Sequence, residues 1–211
     1  MRPLLVVIGC LFLAACEKRP TSFLSGTPMA SNIYLMMGQS NLANMPPQYI
    51  SEPLSWLVPT NINVIQCARG GSALSEWQKG EPLYEAALAA YRSKMDSGKL
   101  AGIFFWQGEK EGVHGSDEEA RTWARRFARF VFDFRADVGD PNLRVVFMQI
   151  GILDSYPYAR VVREQQASIS IPNVVMTTTA GYSPDADGHH FGTHSKELGE
   201  RMAAAMANAS N

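Results

Sequence analysis

Ser40 follows the apolar stretch Ile33-Tyr34-Leu35-Met36-Met37 after Gly38-Gln39, and far along the chain stands Asp187-Gly188-His189-His190-Phe191. A serine hydroxyl is a poor nucleophile until a base takes its proton, and a neutral imidazole is the side chain best suited to do so near neutral pH. A carboxylate close to that imidazole can hold it in one tautomer and stabilise the imidazolium that forms. Ser40, a histidine and Asp187 are therefore the parts of an esterase: nucleophile, base and orienting acid. His189 and His190 compete for the role of base, and adjacent residues usually point in different directions. A serine between a strand and a helix is, taken alone, more often a helix cap than a nucleophile. The distant Asp-x-x-His changes that balance.

The elements that must position these residues are legible as apolar runs of strand length at 33–37, 62–67, 102–106, 143–150 and 174–178. Their hydrophobicity is continuous rather than alternating, as in a parallel sheet covered by helices on both faces. Pro82 suits a first helical position, with Leu83, Ala86, Ala87, Ala90, Tyr91 and Met95 on one face and Gly98 as the stop. Ser116-Asp117-Glu118-Glu119 reads as a capping box. It opens a helix whose apolar face runs through Ala120, Trp123, Phe127, Phe130, Phe134 and Val138 to Gly139-Asp140-Pro141. A shorter helix is expected between Tyr158 and Ile169, and a last one from about His194 to Asn208.

Strands alternating with helices predict an α/β domain, a three-layer α/β/α sandwich around a five-stranded parallel sheet. Ligands of such sheets collect outside the carboxyl ends of the strands, near the point where strand order reverses. Ser40 follows the first strand, Arg69-Gly70-Gly71-Ser72 the second and Gln107-Gly108-Glu109 the third, and Asp187 and His190 lie after the fifth. All of these segments fall at one edge of the predicted sheet.

In this order the segments resemble the SGNH hydrolase superfamily, and within it the branch of sialate O-acetylesterases and acetylxylan esterases. The motifs that carry the resemblance are Gly38-Gln39-Ser40-Asn41, Gly70-Gly71-Ser72 with Trp77, Trp106-Gln107-Gly108-Glu109-Lys110-Glu111, and Asp187-Gly188-His189-His190-Phe191. They span about residues 33–206; Trp106 and Gln107 are adjacent, as in the shorter form of the third motif, and Glu111 replaces the usual Asp. The resemblance implies a flavodoxin-like SGNH fold and a carbohydrate O-acetylesterase that acts on an acetylated carbohydrate without a cofactor. It places the base immediately before Phe191, which selects His190 and leaves His189 facing solvent or substrate. It implies an oxyanion hole built from the backbone N–H of Ser40, the backbone N–H of Gly71 beside a supporting Gly70, and the Gln107 side-chain amide.

Without the resemblance, paired glycines mean only a turn, and a buried glutamine satisfied by backbone is the default. Glu109 is expected to support the site, by orienting Gln107 or a hydrogen-bond network or by pairing with Arg69. Arg69 could instead meet an anionic sugar. Trp77, Trp106 and Tyr182 could stack on a sugar ring, and core packing explains each equally well. Two other readings keep the fold: a non-catalytic carbohydrate- or envelope-binding lipoprotein, and a lipase or thioesterase.

The N-terminus reads as a targeting segment: Arg2, a short apolar stretch at 4–13, then Leu13-Ala14-Ala15-Cys16. The last four residues resemble the lipobox of bacterial lipoproteins, with Cys16 as the lipidated first mature residue; a plain secretory peptide is the alternative. The expected organisation is a signal peptide at 1–15, a lipidated cysteine and tether at 16–29 and the hydrolase domain at 30–211, exported and anchored to a membrane of the bacterial cell envelope. That leaves Cys67 as the one cysteine of the mature body, read as a buried small hydrophobe. The formal charge of −1, without a basic stripe, argues against a nucleic-acid partner. Asp185, Asp187, His189, His190 and His194 crowd one segment, but their spacing matches no zincin motif, so no metal is expected.

Overall fold

A computed structural model describes residues 31–208. The predicted signal peptide, Cys16 and the tether lie outside the described residues. Strand β1 (Ser31–Gly38) is fully buried from Ile33 onward, because both of its faces are covered. Ile33, Leu35 and Met37 point into one core and Tyr34 and Met36 into the other, the alternation inherent in an extended chain. Strands β2 (Ile62–Gln66), β3 (Gly98–Trp106), β4 (Val145–Met148) and β5 (Val174–Thr177) pair with it in the order β2-β1-β3-β4-β5, all parallel. The expected sandwich and five-stranded sheet are what the structure has.

Helices α1 (Ser40–Ala43), α2 (Gln48–Leu57) and α8 (Ser195–Asn208) cover one face through Leu42, Ile50, Leu54, Leu198 and Met202. Helices α3 (Pro82–Arg92), α4 (Glu109–His114), α5 (Asp117–Arg121), α6 (Trp123–Val138) and α7 (Ala159–Ala167) lie on the other. There the core is aromatic: the Trp123 ring stacks on Phe127 at 4.9 Å, and Phe105 meets Phe130 at 5.0 Å. The Ser116 capping box is present, but Thr122 divides the expected helix into α5 and α6, and Gly139, at φ 72°, closes α6. No helix among the described residues is long and apolar enough to cross a membrane.

Three local expectations are corrected. Of the expected face of α3, Ala87 and Tyr91 are buried and Leu83 packs partly against the core, but Tyr84 and Leu88 are buried where Ala86 was expected, because burying an aromatic ring outweighs burying alanine. Met95 is 53% exposed in the turn after that helix, and Gly98 opens β3 instead of merely stopping a helix. Helix α2 was not among the expected elements, and it contains Pro53. Pro53 has no N–H for the Tyr49 carbonyl one turn earlier, and that carbonyl lies where a Cβ on Gly199 of α8 would come within 2.8 Å.

The sheet's order reverses at β1, whose neighbours are β2 and β3. Here Gly38 has φ 127°, and a Cβ on it would sit 2.1 Å from the Trp106 carbonyl oxygen. The next amide, that of Gln39, donates to the same oxygen at 2.8 Å. Only glycine lets β1 turn against β3 at this point, and the turn brings Ser40 out at the carboxyl edge.

Candidate active site

Ser40 opens α1 beside two cavities, of about 320 Å³ and about 250 Å³, and both are also lined by His190. Its amide lies in the first turn and so has no partner in the helical ladder. The preceding residue, Gln39, is buried, and its Oε1 accepts from the amides of Lys110 at 3.1 Å and Gly108 at 3.4 Å. The loops after β1 and β3 are thereby tied together. The loop after β2 comes close from the other side: a Cβ on Gly70 would be 4.0 Å from the Ser40 Cβ, and Gly71, at φ 72°, lines the larger cavity.

The segment after β5 brings Asp187 and His190 together. His190 Nδ1 and Asp187 Oδ2 are 2.6 Å apart, while Asp187 Oδ1 accepts from the backbone N–H of His189 at 3.0 Å and of His190 at 2.9 Å. These backbone donors, His189's foremost, hold the Asp187 carboxyl well below the usual carboxylate range. An ionised Asp187 makes Nδ1 of His190 the protonated nitrogen and leaves Nε2 as the basic one. His189 is arranged differently. Its Nδ1 lies 3.0 Å from the Asp187 carbonyl oxygen and 3.6 Å from the carboxylate Oδ1, and its ring is tilted 44° against that of His190, centroids 4.1 Å apart. It walls the larger cavity next to substrate space, without a carboxylate partner at hydrogen-bond distance.

Asp187, His189 and His190 have ligand-type atoms within 4.8 Å of one another and are the residues here that could hold a metal. Both imidazole Nδ1 atoms are turned onto acceptors of the loop itself. Asp185 and His194 do not join the group: Asp185 accepts from the amides of Gly192 and Thr193, and His194 packs against Tyr182.

Gln107, expected as an oxyanion donor, lines neither cavity beside Ser40. It is fully buried; its Nε2 donates to Glu111 Oε2 and, at 3.4 Å, faces the Ser72 carbonyl and Gln39 Oε1, while its Oε1 accepts from Trp123 Nε1 at 2.9 Å. With both ends of its amide engaged, Gln107 links Glu111 to Trp123 beneath the site. Glu111, also buried, accepts from the Leu74 amide at 2.7 Å and thus joins Gln107 to the loop after β2. Trp77 and Trp106 are wholly buried and offer no face to a sugar: Trp77 donates to Ser72 Oγ at 3.0 Å, and Trp106 packs on Phe191. Tyr182 lies beneath the Arg201 guanidinium.

Arg69 is exposed and forms no ion pair among the described residues, so the expected pairing with Glu109 is not made. Glu109 is instead buried against Asn41, whose Nδ2 donates to its Oε1 at 2.7 Å, while Oε2 has no partner among the described residues. Burial pushes the Glu109 carboxyl up to about 7. Cys67 is half-buried, and desolvation pushes its thiol up to about 11, which keeps it protonated at neutral pH. Asn41 and Gln39 are site residues to which sequence reasoning assigned no role; their place in the motif beside Ser40 was the available signal.

A parallel sheet of this order, flanked by helices and carrying these segments at its carboxyl edge, is the SGNH hydrolase fold. The chain belongs to the family described as carbohydrate esterase, sialic acid-specific acetylesterase, whose model matches residues 57–208. The matched span contains Asp187 and His190 and begins after Ser40. A curated relative, a probable carbohydrate esterase of Arabidopsis thaliana, is 29% identical over 146 residues, covering 68% of this chain and 55% of the relative. The chain thus spans about half the length of that relative. In fold it is similar to the X-ray structure of a protein from Arabidopsis thaliana, at 20% identity and TM-score 0.77, over 86% of this chain and 99% of that one. It is also similar to a carbohydrate acetylesterase of Xanthomonas citri, at 17% identity and TM-score 0.68, over 85% and 56% of the two chains.

Proposed function

We propose that the protein is a serine esterase that removes acetyl groups from a carbohydrate through an acyl-enzyme. Ser40 Oγ attacks the acetyl carbonyl carbon as His190 Nε2 takes its proton, and Asp187 stabilises the imidazolium. The backbone N–H groups of Ser40 and Gly71 receive the developing oxyanion. Collapse breaks the bond to the sugar oxygen, which leaves with the proton from His190. Water, deprotonated by the same nitrogen, then attacks the acetyl-Ser40 ester and releases acetate. The observation that carries this reading is the 2.6 Å Asp187–His190 hydrogen bond in a loop whose histidine shares both cavities with Ser40. Membership of a carbohydrate esterase family and likeness to a carbohydrate acetylesterase support the substrate class.

The test is turnover of p-nitrophenyl acetate and acetate release from acetylated glycans. Ser40→Ala and His190→Ala are each expected to lose activity by about 10³-fold or more. Wild-type turnover by Ser40→Ala would remove the nucleophile. Sugar binding by a wild type inactive on every ester would favour the non-catalytic reading. We further propose that Cys16 is lipidated and holds the domain at the bacterial envelope; incorporation of labelled palmitate that disappears in Cys16→Ala would support this, and equal labelling would refute it.

A further inference from the structure

We infer that Asn41, fixed by Glu109, is a positioning residue that clamps the loop bearing His190 onto the helix bearing Ser40; the inference rests on the proposed roles of those two residues. Asn41 follows the nucleophile directly and is 6% exposed. Its Oδ1 accepts from the backbone N–H of Phe191 at 2.9 Å, and its Nδ2 faces the His189 carbonyl oxygen at 3.2 Å. The two residues it grips are those on either side of His190.

The grip has one orientation. An amide N–H can only donate, so Phe191 requires the Asn41 oxygen, which turns Nδ2 toward the His189 carbonyl and Glu109 Oε1. Glu109 is 1% exposed and sits 2.7 Å from Nδ2, and its acceptor oxygen prevents the amide from flipping. Phe191 then seats the far end of the grip, buried with its ring 5.8 Å from Trp106.

The loop needs such a hold because its reactive groups are at the surface: the side chains of Asp187 and His190 are 43% and 31% exposed. Its other bonds set its own shape, as in Asp185 N–H to the His190 carbonyl at 2.7 Å, or lead to the segment 153–156 through Leu153 and Tyr156. Those bonds do not reach α1. The Asp187–His190 hydrogen bond orients the imidazole within the loop; Asn41 sets where the loop stands relative to Ser40. A displacement of about 1 Å between reacting groups costs about 100-fold in rate, so the clamp acts on kcat rather than on substrate binding.

The experiment measures p-nitrophenyl acetate hydrolysis by the full chain together with the downfield proton resonance of His190 Nδ1. Asn41→Ala is expected to lower kcat by about 100-fold, with KM within about threefold, and to broaden or remove the resonance. Glu109→Gln, which keeps an acceptor oxygen for Asn41, is expected to retain more activity than Glu109→Ala. Asn41→Asp keeps the oxygen that accepts from Phe191 but turns an acceptor oxygen toward the His189 carbonyl, so it is expected to lower kcat and disturb the resonance as Asn41→Ala does. This near-isosteric variant decides the matter if Asn41→Ala does not fold, and wild-type kcat with an unchanged resonance in it would overturn the clamp.

Wild-type kcat in folded Asn41→Ala, with Ser40→Ala inactive, would overturn the clamp while leaving the hydrolase reading intact. A wild type inactive on every ester would sink the hydrolase reading; loss of the resonance in Asn41→Ala would still support the clamp, and an unchanged resonance would refute it.

Discussion

At the scale of residues, the chemistry rests on which hydrogen-bonding groups are engaged and which are left over. Asp187 is engaged by two backbone amides and by His190, so it remains a carboxylate and fixes the base's tautomer. Asp187→Asn is expected to lower kcat by about 10⁴-fold with little change in KM, measured on p-nitrophenyl acetate. A loss below tenfold would deny Asp187 the orienting role. Glu109 has the opposite character, with one oxygen unpartnered among the described residues and its carboxyl raised from 4.5 to about 7 by desolvation.

A carboxyl raised on folding binds its proton more tightly in the native state. Its contribution is therefore present below about pH 4.5 and is lost as pH rises through about 7, a difference on the order of 3 kcal/mol. Urea unfolding at pH 5 and pH 8 is expected to show this loss in the wild type and a smaller one in Glu109→Gln. Equal losses would contradict the assignment. That Ser40, Asp187 and His190 meet at one edge was legible, because each follows the end of a strand-length apolar run. The engagement of Gln107 was not, since a sequence does not show that Glu111 and Trp123 take both ends of its amide.

At the scale of elements, continuous apolar runs disclosed the strands, because a strand buried on both faces has no polar alternation to obscure it. Helix α2 was not read from the sequence; it packs against α8, a partner that local sequence does not encode. The face of α3 was misjudged by treating alanines as equal to Tyr84. The turn at Gly38 has a sharper consequence. Gly38→Ala is expected to cost about 3 kcal/mol or more, from a positive φ combined with contact against the Trp106 carbonyl. Gly139→Ala, at φ 72° with open space around it, is expected to cost only about 1 kcal/mol. Thermal or urea unfolding of the two variants checks the contrast, and equal effects would show that φ alone governs both sites.

At the scale of the molecule, the chain places a small reactive edge on a common α/β scaffold, and the fold alone does not select the substrate. The proposed acetyl-ester substrate carries an expected preference for a short acyl group at Ser40, beside cavities of about 320 and 250 Å³. Across p-nitrophenyl acetate, butyrate and octanoate, kcat/KM is expected to fall by at least about tenfold from first to last. A rise with chain length would favour a lipase. The central claim, that Ser40 is a nucleophile activated by His190, is tested most directly by treating the protein with a fluorophosphonate and mapping the adduct by peptide mass spectrometry. The account predicts stoichiometric modification of Ser40, slowed by at least about 100-fold in His190→Ala. Modification elsewhere, or equal labelling of Ser40 without His190, would contradict it.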